Sequence, residues 1–241
     1  MNTLLHYSIT IAFILFSFTI GNAQSKRVKG NGNVSTKIHT TEDYNEVSVV
    51  GFMDVFLENG KEGSITVTTD ENIHEYVSIE SKNGKLIIKI KNNVNISTKN
   101  GLHITVPFID LDNVSLTGSG DVLTKSVIKT TAFEVELTGS GDMILEVEAT
   151  TIDAKITGSG DLRLTGKSNE LEIKITGSGD FVSKNLKSQR VEAYVSGSGD
   201  ASVYASESIK ARVHGSGDII YYGNPKTSNN KVMGSGDIDS N

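Results

Sequence analysis

Thr117-Gly118-Ser119-Gly120-Asp121 contains the first of seven Gly-Ser-Gly-Asp motifs in this sequence. The first glycines of successive motifs are separated by 21, 19, 19, 20, 18 and 19 residues. A period close to twenty residues predicts a repeat architecture in which each unit stacks on the preceding one. The seven motifs occupy residues 118–121, 139–142, 158–161, 177–180, 197–200, 215–218 and 234–237.

The residues before each motif alternate between apolar and polar side chains. Phe133, Val135 and Leu137 are apolar, whereas Glu134 and Glu136 between them are charged. The alternation precedes the later motifs and resumes after most of the aspartates, so each repeat is predicted to contain strands with one buried face. The asparagine and leucine spacing of leucine-rich repeats is missing, and helical repeats need longer units. The sequence therefore predicts an all-β fold, a parallel β-helix or β-solenoid of about seven coils, with right-handed connections favoured.

The two glycines of each motif are predicted to form a corner of the coil. Glycine allows positive φ angles and close approach of another backbone without steric cost. The Ser and Asp side chains can bond to the backbone groups that a turn leaves unpaired. We therefore predict a structural role for Gly118, Gly120, Gly139, Gly141, Gly158, Gly160, Gly177, Gly179, Gly197, Gly199, Gly215, Gly217, Gly234 and Gly236.

The motif aspartates are predicted to form a ladder, because coils stack roughly 4.8 Å apart. Such carboxylates repel one another unless they are hydrogen-bonded, protonated or neutralised by cations. Our first interpretation is that each aspartate accepts bonds from backbone N–H groups and Ser hydroxyls. The alternative is a row of calcium ions, although the known calcium-binding repeats have a period of nine. The ladder residues are Asp121, Asp142, Asp161, Asp180, Asp200, Asp218 and Asp237.

Residues 1–23 are predicted to be a secretory signal peptide. Their apolar core, residues 9–20, is shorter than a membrane-spanning helix requires. Gly21-Asn22-Ala23 then places small residues at the −3 and −1 positions of a cleavage site before Gln24. An uncleaved anchor is the alternative. The mature chain is thus expected to be exported to the periplasm, the outer surface or the medium, with no membrane span after cleavage.

The mature chain divides into three parts on the basis of these patterns. Residues 24–33 are polar and are predicted to be a flexible lead-in. Residues 34–115 form a non-repetitive β region with a hairpin signal at Asn83-Gly84, and this region is predicted to cap or start the solenoid. Residues 116–241 form the repeat solenoid, whose last coil carries polar Ser228 and Asn230 where earlier coils are apolar.

Composition and motifs give little indication of catalysis. The net charge is −6 without a basic block, which argues against nucleic acid or an anionic membrane as partner. There is no cysteine, and the histidines lack metal-ligand spacing. Gly-Ser-Gly is not the Gly-x-Ser-x-Gly of a nucleophile elbow, and no P-loop occurs. We therefore predict no catalytic residues, no cofactor and no metal site apart from the calcium alternative.

Several segments outside the repeats resemble a known family. They are Gly30-Asn31-Gly32-Asn33, Gly51-Phe52-Met53-Asp54-Val55 within residues 47–57, Thr69-Asp70-Glu71-Asn72-Ile73 and residues 84–90. With the serial corners, they make the chain similar, over residues 30–241, to the auto-transporter adhesin head domain, also called the head GIN domain, of exported Bacteroidetes proteins. This resemblance implies a β-helical fold and an envelope or surface location, and it brings no catalytic residues.

The resulting functional hypothesis is an exported, non-enzymatic, adhesin-like binding module that acts through a polar face of the solenoid. Its expected partner is an extended glycan or another envelope protein. The alternatives are a structural or envelope-stress-associated spacer and, third, a carbohydrate-active enzyme. Tyr194, Tyr204, Tyr221 and Tyr222 are candidates for an aromatic row that would favour glycan binding, with packing in the core or cap as the competing interpretation.

Overall fold

A computed structural model describes residues 26–241, so the predicted signal peptide lies outside the described residues. The structure is 70% strand and 1% helix and contains a β-solenoid of about seven turns, which confirms the predicted fold class. The strands before the repeats are β1 (Lys26–Lys29), β2 (Val34–Thr40), β3 (Tyr44–Gly51), β4 (Asp54–Asn59), β5 (Ser64–Asp70), β6 (Val77–Lys82), β7 (Gly84–Ile90), β8 (Val94–Ser97) and β9 (His103–Phe108), with a 3-10 helix at His74–Tyr76. The later strands are β10 (Asn113–Gly118), β11 (Val122–Thr124), β12 (Ile128–Gly139), β13 (Met143–Gly158), β14 (Leu162–Gly177), β15 (Phe181–Val182), β16 (Leu186–Gly197), β17 (Ala201–Gly215), β18 (Ile219–Tyr222), β19 (Thr227–Gly234) and β20 (Ile238–Ser240).

The coils of the repeat region stack in parallel, with equivalent residues side by side. Strands β13 and β14 pair from Met143 opposite Leu162 to Gly158 opposite Gly177. Each of these strands starts directly after a motif Asp and ends on the first Gly of the next motif. One coil is therefore a long bent strand closed by a tight Ser-Gly-Asp corner.

The inward-facing side chains form one continuous core. Phe133, Ile152, Leu171, Val191 and Ile209 occupy the same position in successive coils, and each is no more than 2% exposed. Burial of an aliphatic or aromatic side chain of this size contributes about 1.5–3 kcal/mol. The alternation of apolar and polar residues thus places the apolar set inside, as predicted.

The non-repetitive region starts the solenoid. Strands β3 and β4 pair in parallel with β10 and β11, which places Gly51 opposite Gly118 and Val55 opposite Val122. The Gly51 carbonyl accepts the N–H of Ser119 at 2.9 Å. Gly51-Phe52-Met53-Asp54 is therefore a corner of the same stack, although it lacks the Gly-Ser-Gly pattern. Strands β7 and β9 lie on the other side of β3 and β4.

Antiparallel strands cover the first end of the stack. Strand β6 pairs with β7 through the predicted hairpin, in which Asn83 and Gly84 have φ angles of 53° and 79°. Strand β5 pairs antiparallel with β9, and β2 pairs with β5. Covering an edge in this way removes a row of unpaired backbone groups that could recruit another chain.

Residues 26–33 differ from the predicted flexible lead-in. Strand β1 pairs in parallel with β8, and the turn that follows is bonded to the segment around Asp70. The Gly32 N–H donates to Asp70 Oδ1 at 2.8 Å, and the Asn31 N–H donates to Asn72 Oδ1 at 2.9 Å. These hydrogen bonds order the polar segment, and they join two of the segments that carry the family resemblance.

The last coil presents a polar end. Strand β19 pairs with β17, which stacks Ser228 on Ile209 and Asn230 on Ala211. All eight residues of β19 are exposed. Polar side chains therefore occupy the inward positions where the apolar core ends.

Candidate binding groove

The corners are built from contacts that only glycine permits. The Gly139 carbonyl accepts the N–H groups of Ser159 at 2.8 Å and Gly160 at 3.1 Å. A Cβ atom on Gly160 would lie 2.0 Å from the Gly141 carbonyl oxygen, well inside any real Cβ contact. Because the same approach recurs at the following corners, the second glycine of the motif is needed for stacking rather than for chemistry.

The motif aspartates bond to the backbone of the next coil. Asp161 Oδ1 accepts the N–H of Asp180 at 2.9 Å, and the six successive steps from Asp121 to Asp237 range from 2.8 to 3.1 Å. No bond between a Ser hydroxyl and a ladder carboxylate occurs in residues 26–241. Over the same residues, no group of three or more His, Asp or Glu side chains is arranged to hold a metal ion.

A polar groove runs along the outward face of the strands that precede the corners. It consists of three adjoining depressions of about 480, 290 and 590 Å³. The first two share Glu134, Glu136 and Asp153, and the last two share Asp153 and Glu172. The groove therefore continues across the coils, from Glu46 at one end to Asn229 at the other.

Charge changes along the groove because equivalent outward positions carry different residues. One ladder contains Glu134, Asp153, Glu172 and Glu192 in successive coils and then changes to Lys210. The neighbouring ladder begins with an acidic residue and continues with basic residues, interrupted once by Tyr194. The middle of the groove therefore has more carboxylates than lysines, whereas both ladders are basic in the coil of Lys210 and Arg212.

Ion pairs order part of the groove. Lys174 Nζ lies 2.5 Å from Glu172 Oε1, and this bond raises the pKa of Lys174. Lys210 Nζ lies 2.8 Å from Glu192 Oε2 and, as the largest cause, lowers the pKa of that carboxyl. Asp153 forms no ion pair among residues 26–241, which leaves its carboxylate available to a ligand.

The four candidate tyrosines do not form a row. Tyr194 stands in the ladder of Lys174 and Arg212, and its hydroxyl donates to Glu192 at 2.5 Å. Tyr221 takes an inward position beside Val203 and packs against the core. Only Tyr204 and Tyr222 are opposite each other in adjacent coils. The sequence alone could have shown that these tyrosines do not all face the same way, because inward and outward residues alternate along each coil.

A buried histidine lies outside the groove, at the N-terminal end. His74 is 4% exposed, and its Nε2 atom lies 3.0 Å from Ser35 Oγ. A Ser–His contact of this length is also found in hydrolases, where a third group orients the imidazole. Here His74 Nδ1 is buried without a hydrogen-bond partner among residues 26–241, so the orienting group is missing.

Comparison with known proteins agrees with this architecture. Residues 43–225 match the family described as "Putative auto-transporter adhesin, head GIN domain". The chain belongs to this family, whose description points to an adhesin-like surface protein. Curated proteins gave no match. Within residues 26–241, no helix is long and apolar enough to cross a membrane.

Solved structures share the fold. A putative adhesin from Bacteroides fragilis has a TM-score of 0.84 at 22% identity, and the match covers 89% of this chain and 100% of that one. A putative adhesin from Parabacteroides distasonis has a TM-score of 0.74 at 26% identity, covering 90% and 100% of the two chains. A second P. distasonis protein, described as putative lipid binding, has a TM-score of 0.74 at 27% identity with the same coverage.

Proposed function

We propose that this protein is an exported, non-catalytic, adhesin-like module that binds an extended glycan along the groove. The observation that carries the proposal is the continuity of the groove across stacked coils. Outward side chains recur roughly every 4.8 Å along its axis, so a linear polymer meets a polar or charged side chain at each step. The exposed carboxylate of Asp153 and the half-buried carboxylate of Glu172, which is paired with Lys174, can accept hydrogen bonds from sugar hydroxyls.

The arrangement of the carboxylates supports binding rather than hydrolysis. Glu134, Asp153 and Glu172 follow one another in ladder register, one per coil, as stacking alone requires. A glycosidase needs two carboxyl groups placed on either side of one scissile bond. The packed interior likewise favours a surface ligand over the lipid that the description of one structural neighbour suggests.

The test is a glycan array probed with residues 24–241, run once with calcium and once with a chelator. We expect saturable binding to an extended polysaccharide. Asp153→Asn with Glu172→Gln should weaken that binding about tenfold or more, since each change removes charge-assisted hydrogen bonds. Glu71→Gln, at an exposed carboxylate in the N-terminal cap, is the matched control and should have no effect. Equal binding by the groove variant and the control would refute the groove as the site.

The open last strand favours a second candidate, a spacer that pairs with another chain. Within residues 26–241, β19 pairs with β17 on one side and has no strand on the other. Edges of this kind recruit further strands unless they are protected. Light scattering across a concentration series tests this role, for which a concentration-dependent increase in mass is expected. A constant monomer mass together with glycan binding would leave the first candidate alone.

A further inference from the structure

A smaller depression lies beside the groove, at the bend of the coils remote from the Gly-Ser-Gly-Asp corners. Its volume is about 360 Å³, at the lower end of the range for small-molecule sites. Strands β13, β14, β16 and β17 contribute to it. Its polar lining consists of Lys167, Ser168, Asn169, Lys187, Ser188, Gln189, Tyr204 and Ser206.

The charge of this lysine pocket is opposite to that of the groove. Its lining contains two lysines and no carboxylate. The middle depression of the groove, by contrast, has four carboxylates in its lining beside the two lysines Lys155 and Lys174. In a chain with a net charge of −6, a depression whose only charged lining residues are lysines favours anions.

One ammonium group in the pocket is held in place without an acidic partner. Lys187 Nζ lies 3.7 Å from the centroid of the Tyr204 ring, a cation–π contact. No ion pair of Lys187 occurs among residues 26–241. Lys167 differs, because its Nζ lies 3.2 Å from Glu148 Oε2, which Lys129 also contacts at 3.6 Å. A bound anion would therefore gain the most electrostatic stabilisation from Lys187.

Neutral polar groups surround the ammonium. Ser168 and Ser188 are 5% and 1% exposed, and their hydroxyls bond to each other at 2.8 Å, which fixes the floor of the pocket. Asn169 and Gln189 are exposed at the rim. Their amide groups both donate and accept hydrogen bonds, as the vicinal hydroxyls of a sugar require.

We propose that the lysine pocket binds the anionic group, carboxylate or sulfate, of an acidic saccharide. Lys187 supplies the main charge, Lys167 adds to it, and the amides of Asn169 and Gln189 bond to the adjacent sugar hydroxyls. This site does not depend on the groove, because the groove carboxylates repel the same ligand. With both sites, the protein would bind acidic segments of a polymer in the lysine pocket and neutral segments in the groove.

The experiment is isothermal titration of residues 24–241 with three oligosaccharides of equal length. They are an oligogalacturonate, a sulfated galactan fragment and the neutral galactan fragment. Binding of one or both acidic probes, with none of the neutral one, is expected, and the acidic probe that binds identifies the anionic group. Raising the salt concentration should weaken the binding, because the charges are exposed.

Variants assign the binding to the pocket. Lys187→Gln should lower the affinity about tenfold or more, and Tyr204→Leu should lower it by removing the ring that positions the ammonium. Lys99→Gln removes the same charge at an exposed position far along the chain and should leave the affinity unchanged. Asp153→Asn with Glu172→Gln should also retain binding, which separates this proposal from the groove. Thermal unfolding of each variant checks that it is folded.

Three results of the saccharide titrations would overturn the proposal. They are unchanged affinity in Lys187→Gln, equal binding of the neutral fragment, and absence of binding by either acidic probe. Tighter binding of a phosphoserine peptide or of anionic vesicles than of both acidic saccharides would refute the assignment to a saccharide.

Discussion

Asp142 Oδ1 accepts the backbone N–H of Asp161 at 3.0 Å, so the carboxylate of one corner is bonded to the backbone of the next. The side chain therefore adds one hydrogen bond between neighbouring coils. A bond of this kind stabilises an ionised carboxylate through a backbone dipole. The bond partly offsets the repulsion between the stacked carboxylates.

Removing one of these hydrogen bonds between coils should destabilise the stack. Asp161→Ala leaves the Asp180 N–H without its partner and should lower the free energy of unfolding by about 1 kcal/mol. Asp161→Asn keeps an oxygen acceptor at the same place and should cost clearly less. Urea unfolding of the two variants measures the difference. Equal destabilisation by both would show that charge, rather than the hydrogen bond, is what matters.

A methyl group at the corner should be far more costly. Gly160→Ala places a Cβ 2.0 Å from a backbone oxygen of the neighbouring coil, so the clash is with backbone and not with a flexible side chain. We expect a loss of about 3 kcal/mol or more. Gly32→Ala is the control, since Gly32 has φ of +84° but no atom within 4 Å of its Cβ position, and about 1 kcal/mol is expected there. A loss for Gly160→Ala no larger than that for Gly32→Ala would mean that the stack accommodates the methyl group and that the close approach costs little.

Asp70 should hold the N-terminal segment through its charged form. Asp70 is 1% exposed and accepts bonds from the Thr98 hydroxyl, the Asn100 amide and the Gly32 N–H. The Thr98 bond is the largest cause that lowers the pKa of Asp70 below its ordinary value of 3.8. Its stabilisation is therefore complete above that pH and is lost as the pH falls through the lower folded pKa.

The measurement for Asp70 is urea unfolding at pH 7 and through a series from pH 5 downwards. Asp70→Asn presents a donor where the wild type has an acceptor, so it should lower the midpoint at pH 7 and flatten the acid dependence. Glu71→Gln, an exposed neighbour, should change neither. An Asp70→Asn protein with the wild-type midpoint would contradict the role.

Mild acid should loosen β2. Burial, followed by the nearby His74 and Lys37, lowers the pKa of His39 below its ordinary value of 6.5. The folded state therefore favours neutral His39, and its stabilisation is present above pH 6.5 and is lost as the pH falls below that value. Hydrogen exchange of Val34–Thr40 between pH 7.5 and 5 should report this opening. His39→Gln should reduce the pH dependence, whereas His214→Gln, at an exposed corner, should retain it.

Calcium should have little effect on stability. The ladder carboxylates already bond to backbone N–H groups, and no cluster of three or more acidic or histidine side chains converges on one point in residues 26–241. We expect the same thermal midpoint in millimolar calcium and in chelator. A rise of several degrees that disappears in Asp161→Asn would support the calcium row instead.

The predictable part of this fold is the part that repeats. Alternation about Val135 and its equivalents predicted which side chains are buried, and the spacing of the motifs predicted the parallel register of the coils. The corner at Gly51 was not predicted, because Phe52 and Met53 replace Ser and Gly and only the pairing with β10 identifies it. The order of residues 26–33 was not predicted either, since its hydrogen-bond partners, Asp70 and Asn72, lie about forty positions away in the chain.

The sequence by itself determined the class of fold, the coil length and the inward set of residues, because each depends on neighbours two residues or one period away. Tertiary structure alone decided which of the outward ladders border a common depression. The groove joins Glu134, Asp153 and Glu172 from three coils, and the lysine pocket joins Lys167 to Lys187 and Tyr204. The physical reason is that side-chain reach and charge act across coils, over a few ångströms, between residues about twenty positions apart.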